Sequence, residues 1–311
     1  MRKLIRDFNP GILLLQETWT SEGIILDNFV VLTKPAKKGH FGRAAGGLAV
    51  LASVKSKITV KEIAPQYQGF LAVICTIPHQ GRQQKPASSH SKESIIFINT
   101  YFPPGESQVA QLINLSILVE VCEQEHAATP IVIMGDLNAK LGWENLANYW
   151  DKFMLESLNI PEQDLCATKC NLRGKRLAKC LVEINQVIIN GRFSGDQPAA
   201  PTFRGRNNKS LLDLASISMK DFAIVKSFKV VHSDSSDHNP IILSLFWSLQ
   251  QREVWSSSEG NQVLNERRAI WSGYAKGELR RVLGQLLNEQ QHGTDEKFLI
   301  NFSKCLLDLR L

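Results

Sequence analysis

An aspartate and an asparagine two residues apart, Asp136 and Asn138, follow the run Ile131 to Gly135, which holds only apolar residues and a glycine. The run is short, rich in β-branched residues and without a polar face, which predicts a strand buried on both sides. In an extended segment residues i and i+2 point to the same side. Both side chains would therefore project together from the end of a rigid strand, a common location for functional sites.

The same pair also fits a turn that closes the strand, because Asp and Asn side chains bond to nearby backbone groups and favour turns. Spacing alone does not decide between a turn and a functional site. The decision depends on whether the rest of the chain supplies the partners that a catalytic site needs.

Other apolar runs deliver polar side chains in the same way. Asp213 lies inside the apolar run 211–217, where a carboxylate is costly unless it is paired. His238 is a natural partner, since it stands before the next apolar strand. The remaining polar groups at strand ends are Gln16, Glu17, Asn99, Tyr101 and Asp237.

A two-layer sandwich of such strands would bring these polar ends to one rim. Converging carboxylates repel one another unless a hard cation binds them, and a set of oxygen ligands favours Mg²⁺ or Mn²⁺. Such a metal can polarise a phosphoryl oxygen and stabilise the leaving oxygen, while His238 paired with Asp213 would hold a proton or a charge. The combined signals predict a metal-assisted phosphodiester hydrolase.

Two helices and several closely spaced strands would carry this rim. Apolar residues recur every three or four positions in 107–125, which predicts an amphipathic helix, and 172–184 is predicted as a second helix. The apolar runs 47–53, 58–63 and 70–77 have short connections, and this spacing favours an antiparallel meander over parallel units.

Composition limits the possible partners. The chain has 311 residues, 43% of them apolar, and a net charge of +6, which suits an anionic partner without identifying one. No apolar run approaches the roughly 20 residues of a membrane span, and the first residues lack a signal-peptide core. We expect no membrane partner, no small-molecule cofactor and an intracellular location.

The ordered motifs resemble those of the endonuclease/exonuclease/phosphatase superfamily, and within it the apurinic-type endonuclease domain of non-LTR retrotransposons. This resemblance covers roughly residues 1–248 and implies a four-layer α/β sandwich, with two packed, mainly antiparallel or mixed sheets flanked by helices. The motifs are Leu-Leu-Gln-Glu-Thr (14–18), Gly-Gly-Leu-Ala-Val-Leu (46–51), Asn-Thr-Tyr-Phe-Pro-Pro (99–104), Gly-Asp-Leu-Asn-Ala (135–139), Leu-Leu-Asp-Leu (211–214) and Ser-Asp-His-Asn-Pro (236–240).

The resemblance also implies a role for each matching residue. Glu17 would ligate the divalent metal, Mg²⁺ or Mn²⁺, and Asp237 would assist metal or water binding. Tyr101 would hydrogen-bond the scissile phosphate. Asp136 would orient or deprotonate the attacking water.

In the same family pattern Asn138 would position the water and the phosphate. His238, oriented by Asp213, would stabilise the transition state. Three basic residues are candidate contacts to the DNA backbone, which would position the duplex without reading its sequence: Arg204, Arg206 and Lys209.

One departure concerns the start of the chain. The family pattern normally begins with a strand that ends in an asparagine near the metal, and residue 1 already falls in the first predicted helix. We therefore expect an N-terminally truncated domain over 1–248. Residues 249–311 are predicted to form a helical tail, similar to the spacer before a reverse transcriptase, whose partner is unknown.

Three functions follow in order of preference. The first is a Mg²⁺-dependent endonuclease that nicks duplex DNA, which would be nuclear if it acts on chromosomal DNA. The second is a catalytically impaired remnant that binds nucleic acid or a partner. The third is a superfamily phosphatase acting on a small phosphorylated or lipid substrate.

Overall fold

A computed structural model describes residues 2–38, 44–77, 93–104, 107–142, 152–165, 170–206, 209–234 and 236–246. Its helices are α1 (Arg2–Phe8), α2 (Gln108–Glu125), α3 (Lys152–Ser157) and α4 (Leu172–Glu183). The first eight strands are β1 (Ile12–Gln16), β2 (Phe29–Lys34), β3 (Lys37–Lys38), β4 (Ala44–Ala45), β5 (Leu48–Ser53), β6 (Thr59–Ile63), β7 (Phe70–Ile77) and β8 (Glu93–Tyr101). The others are β9 (Ile131–Asp136), β10 (Gln186–Ile188), β11 (Phe203–Arg204), β12 (Lys209–Ser210), β13 (Asp213–Ser218), β14 (Val225–Val230) and β15 (Ile241–Leu245).

The larger sheet has six strands in the order β10-β13-β9-β8-β7-β6. Neighbouring strands are antiparallel except β8 and β9, which run parallel. A parallel pair needs a crossover connection, and α2 supplies it between these two strands. β9 thus lies inside the sheet, and its residues Ile131, Val132 and Ile133 are almost fully buried, whereas Met134 is partly exposed.

A smaller sheet, β1-β5-β2, packs on one face of the larger one. A buried side chain joins the two sheets. Asn99 on β8 donates to the carbonyl oxygens of Leu15 and Ala49 at 3.0 Å each, and it accepts a bond from Gln16 at 2.6 Å. Because Asn99 is fully buried, these three bonds satisfy a polar group whose isolation there would be costly.

The helices α2 and α4 cover the opposite face of the larger sheet. Alternate strand residues such as Ile96, Ile98, Ile131 and Ile133 join one apolar core with the buried faces of both helices. The alternation of a strand then places Tyr101 and Asp136 on the other face, towards the smaller sheet. Asn171 caps the N-terminus of α4, since its side chain accepts the backbone N–H of Gly174 at 2.8 Å.

Three two-stranded units complete the described fold: β14-β15, β11-β12 and β3-β4. The connection from β14 to β15 is the segment 231–240. It returns beside β11, because Phe203 pairs with His238 in an isolated β-bridge. This pairing brings the last motif of the chain next to the larger sheet.

The predicted α/β sandwich of two packed sheets is confirmed, whereas the predicted helical tail over 249–311 lies outside the described residues. The meander expected for 47–77 is wrong in its first strand: β5 pairs with β1 and β2, and only β6 and β7 join the larger sheet. Asp213 is the first residue of its strand, not a middle one. Within the described residues no helix is long and apolar enough to cross a membrane.

Gly135 allows β8 and β9 to approach closely just before the rim. Its φ of 150° is disfavoured for other residues, and a Cβ atom built there would lie 1.9 Å from the carbonyl oxygen of Thr100. The neighbouring atom is backbone and cannot move aside alone. Glycine at this position is therefore required for the local pairing of the two strands.

Gly135→Ala is expected to destabilise the native state by about 2 kcal/mol or more, because the added methyl group collides with backbone at a positive φ. Urea denaturation followed by circular dichroism measures this change. Gly23→Ala is the matched control: its nearest atom would be 4.0 Å away, and we expect a change within about 0.5 kcal/mol. Equal stability of the two variants would contradict the close approach.

Candidate active site

Three polar side chains lie in one row across three neighbouring strands of the larger sheet. Tyr101 on β8 is in register with Asp136 on β9, and Asp136 is in register with Asp213 on β13. Directly opposed residues on paired strands have Cβ atoms roughly 5 Å apart. The row forms because two strands end and one begins at the same edge.

Asn138 holds both carboxylate oxygens of Asp136. Its backbone N–H donates to Oδ1 at 2.9 Å, and its side-chain nitrogen donates to Oδ2 at 3.0 Å and to the carbonyl of Phe102 at 3.0 Å. The bond from the N–H two residues on is an Asx turn, and Asn138 has φ of 45°, which asparagine tolerates. The turn and the site are therefore the same feature, so the two interpretations of this pair are not alternatives.

The surroundings of Asp136 change its ionisation. Burial, and then the charge of Asp213, raise the pKa of Asp136 to about 7. The backbone hydrogen bond from Asn138 and the charge of His238 act in the opposite direction, and the charge of Glu17 adds to the rise. A carboxylate with a pKa close to neutral is suited to accept a proton from water.

His238 pairs with Asp213, as the sequence predicts. The ring Nδ1 lies 2.8 Å from Oδ2 of Asp213, and the ring of Phe203 lies 5.0 Å away, centroid to centroid. The hydrogen bond to Asp213 raises the pKa of His238 to about 9 against the effect of its own burial. The imidazole is therefore a cation at neutral pH, with Asp213 as its counter-ion.

Glu17 joins the other end of the row from the smaller sheet. It follows β1 with φ of 50°, and its Oε1 accepts a hydrogen bond from the hydroxyl of Tyr101. Hydrogen bonds thus join Glu17 to Tyr101 and Asp213 to His238 at the two ends of the row, and strand register places Asp136 between these pairs. Glu17 is exposed, whereas the two aspartates are buried.

The remaining predicted residues lie around this row. Asp237 is exposed, accepts a bond from the Ser236 hydroxyl at 3.4 Å and adds to the rise in the pKa of the adjacent histidine. Arg206, which follows β11, and Lys209, the first residue of β12, are exposed. Arg204 is largely covered: its guanidinium contacts the segment 232–236.

Two buried polar side chains that the sequence analysis did not single out hold the main chain of Asp213. Thr202 Oγ1 accepts the N–H of Leu212 at 3.0 Å and that of Asp213 at 2.9 Å. Asn190 donates to the carbonyl of Asp213 at 3.3 Å and accepts the N–H of Ala215 at 2.9 Å. The local sequence around Thr202 and Asn190 does not indicate these hydrogen bonds, because each bond joins residues that are 10 to 25 positions apart.

The sequence analysis also did not identify a cationic side chain that interacts with Asp136. Arg173, near the start of α4, donates to the carbonyls of Pro103 and Pro104 at 3.3 Å each. Burial lowers its pKa and the charge of Asp136 raises it, so the two groups interact electrostatically. The acidic row therefore has a positive charge at its rim.

Fold and site geometry together define the class of protein. A model of the Endonuclease/Exonuclease/phosphatase family matches residues 1–238, more than half of the chain, and the chain belongs to that family. Members of the family are hydrolases that act on phosphodiester bonds and generally use divalent metals. No match was found among curated proteins.

Two solved structures show the same fold. The endonuclease domain of TRAS1, a telomere-specific non-LTR retrotransposon, is 18% identical over 78% of this chain and 88% of that chain, with a TM-score of 0.50. A 3'-5' exonuclease (NExo) from Neisseria meningitidis is 15% identical over 79% of this chain and 93% of that chain, also with a TM-score of 0.50.

The donor atoms of the row fit a magnesium ion. Carboxylate charges on Asp213 and Glu17 raise the pKa of Asp136, and a bound cation would offset this repulsion. No group of three or more His, Cys, Asp and Glu side chains placed to hold a metal occurs in the described ranges. Mg²⁺ needs no such cage, since one or two carboxylates, waters and substrate phosphates commonly bind it.

Asp213→Asn is expected to lower the pKa of His238 from about 9 towards its ordinary value near 6.5, because the hydrogen bond to a charged partner is lost. The imidazole would then lose its proton at a lower pH than in the native chain. NMR titration of the histidine ring in metal-free buffer measures the change. Asp27→Asn, which changes an exposed aspartate before β2, is expected to leave the His238 titration unchanged.

Proposed function

We propose that this protein is a divalent-metal-dependent endonuclease that nicks one strand of duplex DNA. The observation that carries the proposal is the continuous row from Glu17 through Tyr101, Asp136 and Asp213 to His238. The row places an acceptor for a proton, a phenol and a histidine cation along one edge. Each of these three kinds of group has a use in phosphodiester hydrolysis.

Each residue has a distinct chemical task in this proposal. Asp136, held through both oxygens by Asn138, takes a proton from the attacking water. Tyr101 donates a hydrogen bond to a phosphate oxygen once substrate replaces Glu17 as its partner. The His238 cation, kept charged by Asp213, stabilises negative charge that develops on the phosphate in the transition state.

Glu17 is the residue we assign to the metal, with Asp237 assisting through its exposed carboxylate. When bound, Mg²⁺ would polarise the phosphate and stabilise the leaving oxygen. Because Tyr101 already contacts Glu17, the metal ligand and the phosphate-binding hydroxyl belong to one hydrogen-bonded unit. The same acidic rim would accept Mn²⁺, which also prefers oxygen ligands.

DNA is favoured as substrate by the basic balance of the chain and by two exposed cations, Arg206 after β11 and Lys209 at the start of β12. The strand β11 pairs with the His238 end of the row through Phe203. Two cations beside the proposed catalytic row are suited to bind phosphates of the DNA backbone. An enzyme with chromosomal DNA as its target would work in the nucleus.

The purified chain is expected to nick supercoiled plasmid in Mg²⁺ and not in EDTA. Asp136→Asn and His238→Ala should each lower the rate by about 100-fold or more, because each removes a group that handles a proton or charge in the transition state. Gel electrophoresis of the plasmid forms measures the rate. Asp27→Asn and His126→Ala change the same residue types outside the row and should leave the rate unchanged.

Full activity of a double variant, Asp136→Ala with His238→Ala, would contradict the site assignment. Salt-sensitive DNA binding without turnover would support the binding-remnant alternative instead. Release of phosphate from inositol phosphates or phosphorylated lipids, with plasmid left intact, would support the phosphatase alternative.

Arg206→Ala and Lys209→Ala are each expected to weaken duplex binding and to reduce the slope of log K against log salt by about 1, since each loses a phosphate contact. Fluorescence anisotropy with a labelled duplex in EDTA, measured at several salt concentrations, gives the slope.

Lys55→Ala is the matched control for these two variants. Lys55 is an exposed lysine beyond the end of β5 that is remote from the row, and its loss should leave the slope unchanged. A slope that falls equally in all three variants would show a general charge effect, and the two assigned contacts would be wrong.

A further inference from the structure

Arg204 contacts the segment that carries His238 through its main chain. Its N–H donates to the carbonyl of Asp237 at 2.8 Å, and the preceding Phe203 pairs with His238. On the other side of Phe203, the carbonyl of Thr202 accepts the N–H of Asn239 at 2.6 Å. The short strand β11 therefore lies directly along residues 237–239.

The guanidinium of Arg204 reaches further along the same segment. Its Nη2 donates to the carbonyls of Ser233 and Ser236, the latter at 3.4 Å. Its Nη1 lies 3.1 Å from Nε2 of His232 and 4.0 Å from Oδ1 of Asp234. One planar group thus contacts both ends of the turn immediately before Asp237.

These contacts argue against the role that the sequence suggests for Arg204, which is a contact with the DNA backbone. The side chain of Arg204 is only 27% exposed and is mostly covered by protein, whereas Arg206 and Lys209 face the solvent. Turning the guanidinium outward to a phosphate would remove the donor from the carbonyls of Ser233 and Ser236. Leaving such groups without a partner is costly where water does not replace the bond.

We propose that Arg204 is a positioning residue: it holds residues 232–234, 236 and 237 so that His238 keeps its place beside Asp213. This inference rests on the proposed nuclease function, and it replaces a DNA contact with a role inside the protein. Lysine does not substitute for arginine here, because a single ammonium group lacks the planar fork that spans both ends of the turn.

The test compares Arg204→Ala and Arg204→Lys with the native chain in nicking and in duplex binding. A positioning role predicts that both variants lose about tenfold or more in kcat, since small displacements of a catalytic group have effects of this size. It also predicts an unchanged salt slope of binding in both. Arg6→Ala, which removes an exposed arginine on α1, is the control and should leave kcat unchanged.

A phosphate contact would give the opposite pattern. The salt slope would fall by about 1 in Arg204→Ala and be restored in Arg204→Lys, with kcat at saturating DNA preserved. That result would overturn the proposal. Arg204→Lys retains the charge and the main-chain bonds. If Arg204→Ala does not fold, the kcat and salt slope of Arg204→Lys alone distinguish the positioning role from a phosphate contact.

Hydrogen exchange separates this proposal from the proposed function. The amides of Ser233, His238 and Asn239 are hydrogen-bonded in the native chain. In both variants they are expected to exchange at least about tenfold faster, because the contacts of Arg204 that hold this segment are lost. Unchanged exchange would overturn the positioning role whatever the activity. If the variants exchange faster but the native chain does not nick plasmid, the nuclease function is refuted. The structural role of Arg204 in holding this segment is then still supported.

Discussion

The site depends on two aspartates in register on neighbouring strands. Asp136 and Asp213 face each other because β9 ends where β13 begins, and neither can move away without breaking the sheet. The charge of Asp213 disfavours the ionised form of Asp136. His238 is the charged partner of Asp213, and the side-chain amide and backbone N–H of Asn138 donate hydrogen bonds to Asp136. In the proposed nuclease this acidic edge would hold the divalent cation that polarises the phosphate.

Buried polar groups keep this arrangement in place. Thr202 and Asn190 bond the main chain of Asp213, and Asn99 bonds the main chain of both strands that pack over β8. Each of these side chains is fully buried, so a shift of the main chain would leave a polar group without a partner. The geometry of the reactive row is in this way tied to the packing of the whole sandwich.

Much of this could be predicted from the sequence, because local patterns decide local structure. The strands β7 and β9 and the helices α2 and α4 lie within two residues of their predicted ends, and the Asp213–His238 pair followed from the cost of a buried carboxylate. Membership of a sheet could not be predicted, since β5 and β6 carry apolar patterns that suit either sheet. The partners of Thr202, Asn190 and Arg204 depend on which segments meet in space, and no periodicity encodes that.

The row is shared between two sheets that meet through side chains. Glu17 belongs to the smaller sheet and the rest of the row to the larger one, and the Gln16–Asn99 bond lies next to their junction. Sliding of the smaller sheet would carry the Glu17 carboxylate away while Asp136, Asp213 and His238 stay together. In the proposed nuclease, catalytic competence would therefore depend on the joint between the sheets, and warming or mutation that loosens this joint would abolish activity while most of the secondary structure survives.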